Sequence, residues 1–431
     1  MNDNLNISLA ALKGNNTIGN GLVKTKKSVN LGDWINKQIE KGLLNVDPDG
    51  HPVTTPGIVS NGNFAIGGNA GTSLTTGGGN FFVGNNAGSS ATTKNGNTAI
   101  GLNAFQNGTV GWGNTAIGLN SMGTGIVTGG DNLAIGYNSL QNLTSGRYNI
   151  AVGYKAGYYT TTPRGNILLG KNAGYYNVIG RSNVMIGMET GQRTTGGYNV
   201  FIGERTGYLT TSGTDNIFVG KKITTNGGNF TGSFNIALGD RSFYNATGGG
   251  FSNIGVGKWT MSNVTDGYYN IAVGSFAGYN LTDGYHNTLM GYNAGYDMTS
   301  AKHNISLGRR ASVKLTTGED NISIGRNAGY NALTSTKNVF IGYAAGFSET
   351  GSNKLYISDS NTANPLIKGD FVTGITTLNS TLVIAPQTAA AASALTPVEG
   401  MMVNVSDTNG TFTSTGSWIY EGASWKKNTV V

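Results

Sequence analysis

The side chains that could do acid-base or metal chemistry are few in this chain. Its only histidines are His51, His286 and His303, at unrelated positions and without the spacing that lets two imidazoles share a metal. They read as turn and loop residues. Carboxylates are sparse too: Asp266, Asp283, Glu319 and Asp320 fall in loops, where a solvated charge is the default. Glycan cleavage needs two carboxyls converging on one groove. Stacked loops can bring such acids together, so cryptic glycosidase chemistry stays open as an alternative. Cysteine is absent, which removes disulfides and thiolate metal sites. Strings resembling GxGxxG recur without a following helix and do not indicate a nucleotide. No catalytic residue, cofactor or metal ligand is expected, and the chain reads as a non-enzyme.

Aromatic residues offer more surface chemistry. Tyr158, Tyr175, Tyr208, Tyr244, Tyr279, Tyr296, Tyr330 and Phe347 share one position of a repeat, and Tyr137, Tyr154, Tyr292 and Tyr343 share another. The first set predicts a ladder of rings packed within or between rods, with an exposed platform for sugar rings as the other reading. Trp418, Tyr420 and Trp425 near the C-terminus are candidate receptor-binding residues, because a small terminal β unit has little core to fill.

An array must position these residues. Seventeen near-copies of one phrase, an Asn, three residues ending in an aliphatic, then a Gly, run from Asn63 to Gly342, as in Asn149-Ile150-Ala151-Val152-Gly153. The glycines step by 17 residues, slipping to 16, 18 or 19 four times. A fixed short period is the signature of a solenoid, in which each unit buries its apolar residues by stacking on the next. Alternation at period two predicts that the aliphatics on either side of the middle residue face the inside of the roll. The middle residue, often Ala, is then expected on the opposite face. Asn and Gly supply the corners, and a stacked row of Asn can bond from rung to rung. At about 4.8 Å per rung, seventeen rungs make a rod of about 80 Å.

The expected class is therefore all-β, a parallel β-solenoid shaft over residues 63–357, with further segments on either side. Residues 1–62 form a distinct N-terminal segment. In it Asp33 caps a short helix whose Trp34, Ile35 and Ile39 share a face. Two helical turns are not stable alone, so the helix must pack on its own chain, on copies of itself or on a larger assembly, and in the last case these three residues are the candidate anchor. Residues 358–392 make a transition, and 393–431 a small C-terminal β domain with an Asn409-Gly410 turn. The 70 glycines and 11% charged residues do not describe ordinary globular domains. The net charge of +7 is scattered, so a nucleic-acid footprint is not expected. No apolar run reaches membrane-spanning length and the N-terminus lacks a secretory pattern, so neither membrane insertion nor Sec export is expected.

The array resembles the head repeats of trimeric autotransporter adhesins, whose Ala-Ile-Gly phrases wind left-handed parallel β-rolls that associate in threes. It is more similar to phage tail-fibre proteins, particularly those of phages infecting Bacteroidota. There the repeats precede phrases similar to Asn353-Lys354-Leu355-Tyr356-Ile357 and Pro365-Leu366-Ile367-Lys368-Gly369-Asp370-Phe371. Glu399-Gly400-Met401-Met402-Val403 and Asp407-Thr408-Asn409-Gly410 resemble terminal segments of such fibres. The likeness covers roughly residues 63–431. The coiled-coil stalk and membrane barrel of autotransporters have no counterpart. The resemblance implies a homotrimeric structural fibre of a tailed-phage virion, a tail or head fibre. Its N-terminus would be held by tail or capsid proteins, and it would attach to a host-surface glycan or protein. A bacterial trimeric surface adhesin and a glycan-degrading tail spike are the alternatives.

Overall fold

Each Asn-to-Gly phrase becomes a strand of three residues, too short to stand alone and held by the copies before and after it. The computed structural model describes residues 45–46, 52–53, 62–93, 95–380, 386–399, 401–406, 408–409, 411, 415–421 and 423–427. β1 (Asn45–Val46) pairs antiparallel with β2 (Pro52–Val53). Seventeen strands, from β3 (Phe64–Ile66) to β19 (Val339–Ile341), then form one parallel ladder in chain order. Register never slips: Ile150, Ala151 and Val152 face Ile167, Leu168 and Leu169, and the same correspondence holds at each step. The chain is thus an all-β solenoid with a 17-residue turn. The anchor helix with Trp34, Ile35 and Ile39 lies outside the described residues.

The strand faces are the reverse of the expectation. The middle residue of every strand is the buried one, and the aliphatics on either side point outward, half-buried or exposed. The interior admits only one side chain per strand and rung, because the opposite wall, carrying Ala70, Ala87, Ala156 and their equivalents, lies close by. Alanine does permit a close approach, but the approach is inside the roll.

Volume inside the roll is shared between two positions six residues apart. Phe82, Leu168, Phe201 and Phe340 on the strand are matched by Gly88, Gly174, Gly207 and Gly346 on the opposite wall, and a Cβ at Gly88 would lie 2.6 Å from the Phe82 ring. Where the strand carries Ala99, Ala116, Ala134 or Ala237, the wall carries Phe105, Met122, Leu140 or Phe243, all buried. Where both positions are small, as at Ala151 with Gly157 and Ala272 with Gly278, side chains of adjoining rungs fill the space (Leu140 and Leu168, Met261 and Leu289), since a void or an overlap costs kilocalories.

The corners are built as tightly. Gly153 has φ +139°, and a Cβ there would sit 2.5 Å from the Gly170 carbonyl oxygen of the next turn. At the other end of the strand the asparagines form a buried ladder. The Asn235 backbone N–H and its Nδ2 both donate to Asn216 Oδ1, at 3.0 and 3.1 Å, while Asn216 Nδ2 donates to the Gly232 carbonyl at 2.9 Å. Each amide so satisfies the corner's backbone groups, which burial would otherwise leave unpaired. The ladder passes unbroken through a 19-residue turn at this pair and a 16-residue turn at Asn183 and Asn199. Extra residues are absorbed elsewhere in the turn.

The ladder ends in a cap. β20 (Lys354–Ile357) is its last parallel strand, and β21 (Ile367–Asp370) and β22 (Ile375–Leu378) fold back on it antiparallel. Ser358 stands where a corner Gly would. Lys354 Nζ lies 2.6 Å from Asp370 Oδ2, and the Tyr356 hydroxyl donates to Glu349 Oε2 at 2.5 Å. Beyond it, β23 (Pro386–Gln387), β24 (Met402–Val405), β25 (Gly416–Glu421) and β26 (Ser424–Lys427) make a separate four-stranded sheet. Between β23 and β24 lies α1 (Ala389–Ser393), capped by Thr388, whose Oγ1 accepts from Ala391 N–H at 3.2 Å.

Candidate functional site

Because each turn repeats the last, residues at one position form columns along the rod, and any function is carried by columns. The first is the outward face of the ladder. Its aliphatics run in register from rung to rung, with Ile217 at 43% exposure and Ile150, Ile271, Ile305 and Ile324 close behind. Exposed Tyr137, Tyr154, Tyr292 and Tyr343 flank it after the corner Gly, and exposed Tyr148, Tyr198, Phe234 and Tyr269 flank it before the Asn. Two strand columns about 7 Å across and about 80 Å long already make roughly 600 Å², the upper end of what a monomeric protein leaves bare. The flanking rings widen it.

The expected tyrosine ladder forms in short pieces. Tyr158 stacks on Tyr175 at 5.1 Å between ring centres, Tyr279 on Tyr296 at 5.1 Å, and Tyr330 on Phe347 at 4.7 Å. Gln192, Thr225, Ser262 and Val313 interrupt the column between these pairs. Tyr208 and Tyr244 instead lie under Arg205 and Arg241, with guanidinium carbons 4.7 and 5.8 Å from the ring centres. In such stacks the faces a sugar would use are covered by the adjoining rungs, leaving edges and hydroxyls to solvent.

Sequence reasoning did not single out a double column just before the Asn corner. Phe251, Tyr268 and Tyr285 stack at 5.0 and 4.7 Å, and beside them Tyr269, His286 and His303 at 5.1 and 5.5 Å. Lys302 covers the Tyr285 ring at 5.4 Å, and His303 Nδ1 faces Asp320 Oδ1 at 3.4 Å. The signal was available, since these residues sit one or two places before successive asparagines. His286 and His303 are therefore brought together, while His51 lies outside the described residues. Asp266 and Asp283 also share a column on adjacent rungs, exposed at loop tips. Asp266 Oδ1 accepts from Gly249 N–H at 2.9 Å and Asp283 Oδ1 from the Thr282 hydroxyl at 2.8 Å. Among the described residues no group of three or more His, Cys, Asp or Glu side chains is arranged to hold a metal. Nor is any helix there long and apolar enough to cross a membrane.

In the C-terminal sheet, Trp418 is 6% exposed and packs in a core with Ala389, Ala392, Val403 and Val405. A ring so placed offers a receptor little area. Tyr420 and Trp425 are half-buried, edge to face at 5.4 Å, and Trp425 also leans on that core.

Among the described residues, the ionisable groups with the largest shifts lie in the cap. The Lys354 ammonium, with the N–H groups of Thr373 and Val372, holds the Asp370 carboxyl down to about 2. Burial opposes the charge on Glu349, but bonds from Tyr356, Gly351 and Thr350 outweigh it and bring its pKa below the usual value. Burial, then the Glu349 charge, drives the Tyr356 hydroxyl upward. These contacts lock strands and frame no cleft.

Compared with protein families, curated proteins and solved structures, the chain matches none.

Proposed function

We propose that this chain is the structural fibre protein of a tailed-bacteriophage virion, a homotrimer in which residues 1–62 dock on tail or capsid proteins and the rest reaches a host surface. The observation that carries the reading is the outward aliphatic face of the ladder. A rod that presents an apolar strip along its length, with threonine only at Thr98, Thr115 and Thr288 of one of its two columns, gains most by closing that strip against copies of itself. Closed rotational symmetry does this without leaving an open edge. The resemblance of the repeats to trimeric heads and phage fibres supports three copies rather than two. Three copies also bring three equivalent surfaces to one host cell, which multiplies weak contacts.

Native mass measurement of the full chain tests the assembly. Three copies are expected, and Ile217→Lys with Ile271→Lys is expected to release monomers or insoluble chains. A monomeric wild type would sink the trimer. Electron microscopy of virions with a label on residues 1–62 tests the rest: the label should lie at the particle, and a label at the free tip would reverse the assignment.

A further inference from the structure

A few cations on the shaft are matched by acids on the same or the next turn. Arg205 pairs with Glu189 at 3.0 Å, Lys221 with Glu204 at 3.2 Å and Arg241 with Asp240 at 3.4 Å. Among the cations without such a partner, three arginines stack in one column. Arg147, Arg164 and Arg181 occupy the same position, two residues before the Asn, on three successive turns, and Arg147 and Arg164 are direct partners across the ladder. Among the described residues no carboxylate forms an ion pair with any of the three. Stacked at the rung pitch of about 4.8 Å, they repel one another unless an anion lies between or beside them.

The column is closed at both ends by aromatic rings. Arg147 lies 5.7 Å from the centre of Trp112, whose indole spans the intervening turn across Gly130, and Arg181 lies 5.9 Å from Tyr198. These contacts hold the outer guanidiniums in place and leave their donors free. Alongside runs a cleft of about 470 Å³, lined by Thr162, Pro163, Arg164, Ile179, Arg181 and Tyr198. Ile179, at 64% exposure, and the exposed Tyr198 ring supply apolar surface beside the charges.

We propose that this column and its cleft bind an acidic polysaccharide, a glycan carrying carboxylate or sulfate groups along its chain. Evenly spaced guanidiniums suit a polymer whose charges recur along one line, and each fork can take a carboxylate or sulfate through two donors. The apolar wall suits the C–H faces of sugar rings, and the threonine hydroxyl suits their hydroxyls. Single-stranded nucleic acid fits less well, because it needs open ring faces for base stacking and the faces here are turned to arginine. The proposal names a receptor class and rests for its purpose on the host-attachment reading, but its test does not.

Full-length protein is assayed for binding to immobilised polygalacturonate, chondroitin sulfate, neutral dextran and poly(dT) at two salt concentrations. Wild type is expected to bind one or both acidic glycans, more weakly at higher salt, and to ignore dextran. Arg164→Gln with Arg181→Gln should weaken binding by about tenfold or more. A control removes equal charge from Arg309 and Arg326, a two-turn column beside Tyr292 and Tyr343, and should change binding less than about twofold. Unaltered native mass and circular dichroism confirm that both double variants are folded. Equal loss in the two double variants would overturn the site in favour of diffuse charge. Tighter binding to poly(dT), or no binding to either acidic glycan, would overturn it outright. Adhesion to host cells is scored separately. A wild type that binds acidic glycan but no cell sinks the attachment reading alone, whereas intact adhesion with glycan binding unchanged by the arginine variant sinks the site alone.

Discussion

The shaft and the C-terminal sheet use β-strands in opposite ways. In the shaft every strand is three residues long and meets a near-copy of itself on both sides, so stability is a sum of similar interfaces and no single rung is indispensable. In the sheet of β23 to β26 the strands are unlike, mostly antiparallel, and lean on a core of Ala389, Ala392, Val403, Val405 and Trp418. Repetition spreads a defect over neighbours; a small unique core concentrates it.

The largest effect should therefore come from the smaller region. Trp418→Ala removes the one large side chain of that core, a loss of about 3–5 kcal/mol at a fully buried site. A unit of this size has little more than that to lose. Limited proteolysis with mass detection should then cut within residues 386–427 while the shaft stays intact. If the variant's tail resists protease as well as wild type does, the contrast between the two regions is wrong. A loss with a smaller structural consequence is expected in the shaft, because neighbouring rungs share it. Asn216→Ala strips the acceptor from the Asn235 N–H and the donor from the Gly232 carbonyl, at about 1–3 kcal/mol for each buried group left unpaired. Hydrogen exchange should accelerate at Asn235 and fade over the neighbouring turns, with the rod otherwise preserved. Unchanged protection of the Asn235 amide would show that the ladder is ornament.

The same contrast explains what could be read from the sequence. The period, the rung count and the stacked Asn row at the corners were legible because each constraint is written seventeen times, and Asn and Gly have distinct backbone chemistry. The inward face was misread because aliphatics usually mark an interior, whereas Ile150 and Val152 face out and Ala151 faces in. The correcting signal was present in the pairs Phe82 with Gly88, Ala99 with Phe105 and Phe201 with Gly207, whose volumes trade off at a fixed interval. Only two walls of one cavity require that. In the tail no repeat exists to average over, so three aromatic residues looked equally available for binding although Trp418 is core and Trp425 partly so. The arginine column and the double aromatic column keep the plain 17-residue step, but each spans only three turns, too few to stand out against seventeen copies of the corner phrase.

The cap joins the two regimes, and acid should separate it from the shaft. Asp370 and Glu349 both have folded pKa values below their ordinary ones, Asp370 at about 2 against 3.8. A carboxyl depressed on folding contributes stability that is complete above its unfolded pKa and is lost as pH falls through its folded pKa. The cap should thus be unaffected near neutrality and loosen between pH about 4 and about 2. Amides of β20 and β21 should lose protection across that window, after correction for intrinsic exchange, while Asn235 keeps its own, because the asparagine ladder has no group that titrates there. Lys354→Met removes the foremost cause of the Asp370 shift, so its carboxyl should return toward 3.8 and the pH dependence of this part of the cap should shrink. The effect is the smallest of the three, since Lys354 and Asp370 are partly exposed and solvent screens the pair. Loss of protection in the shaft over the same pH range would mean that the ladder depends on its cap, and that the rungs are less self-sufficient than their repetition implies.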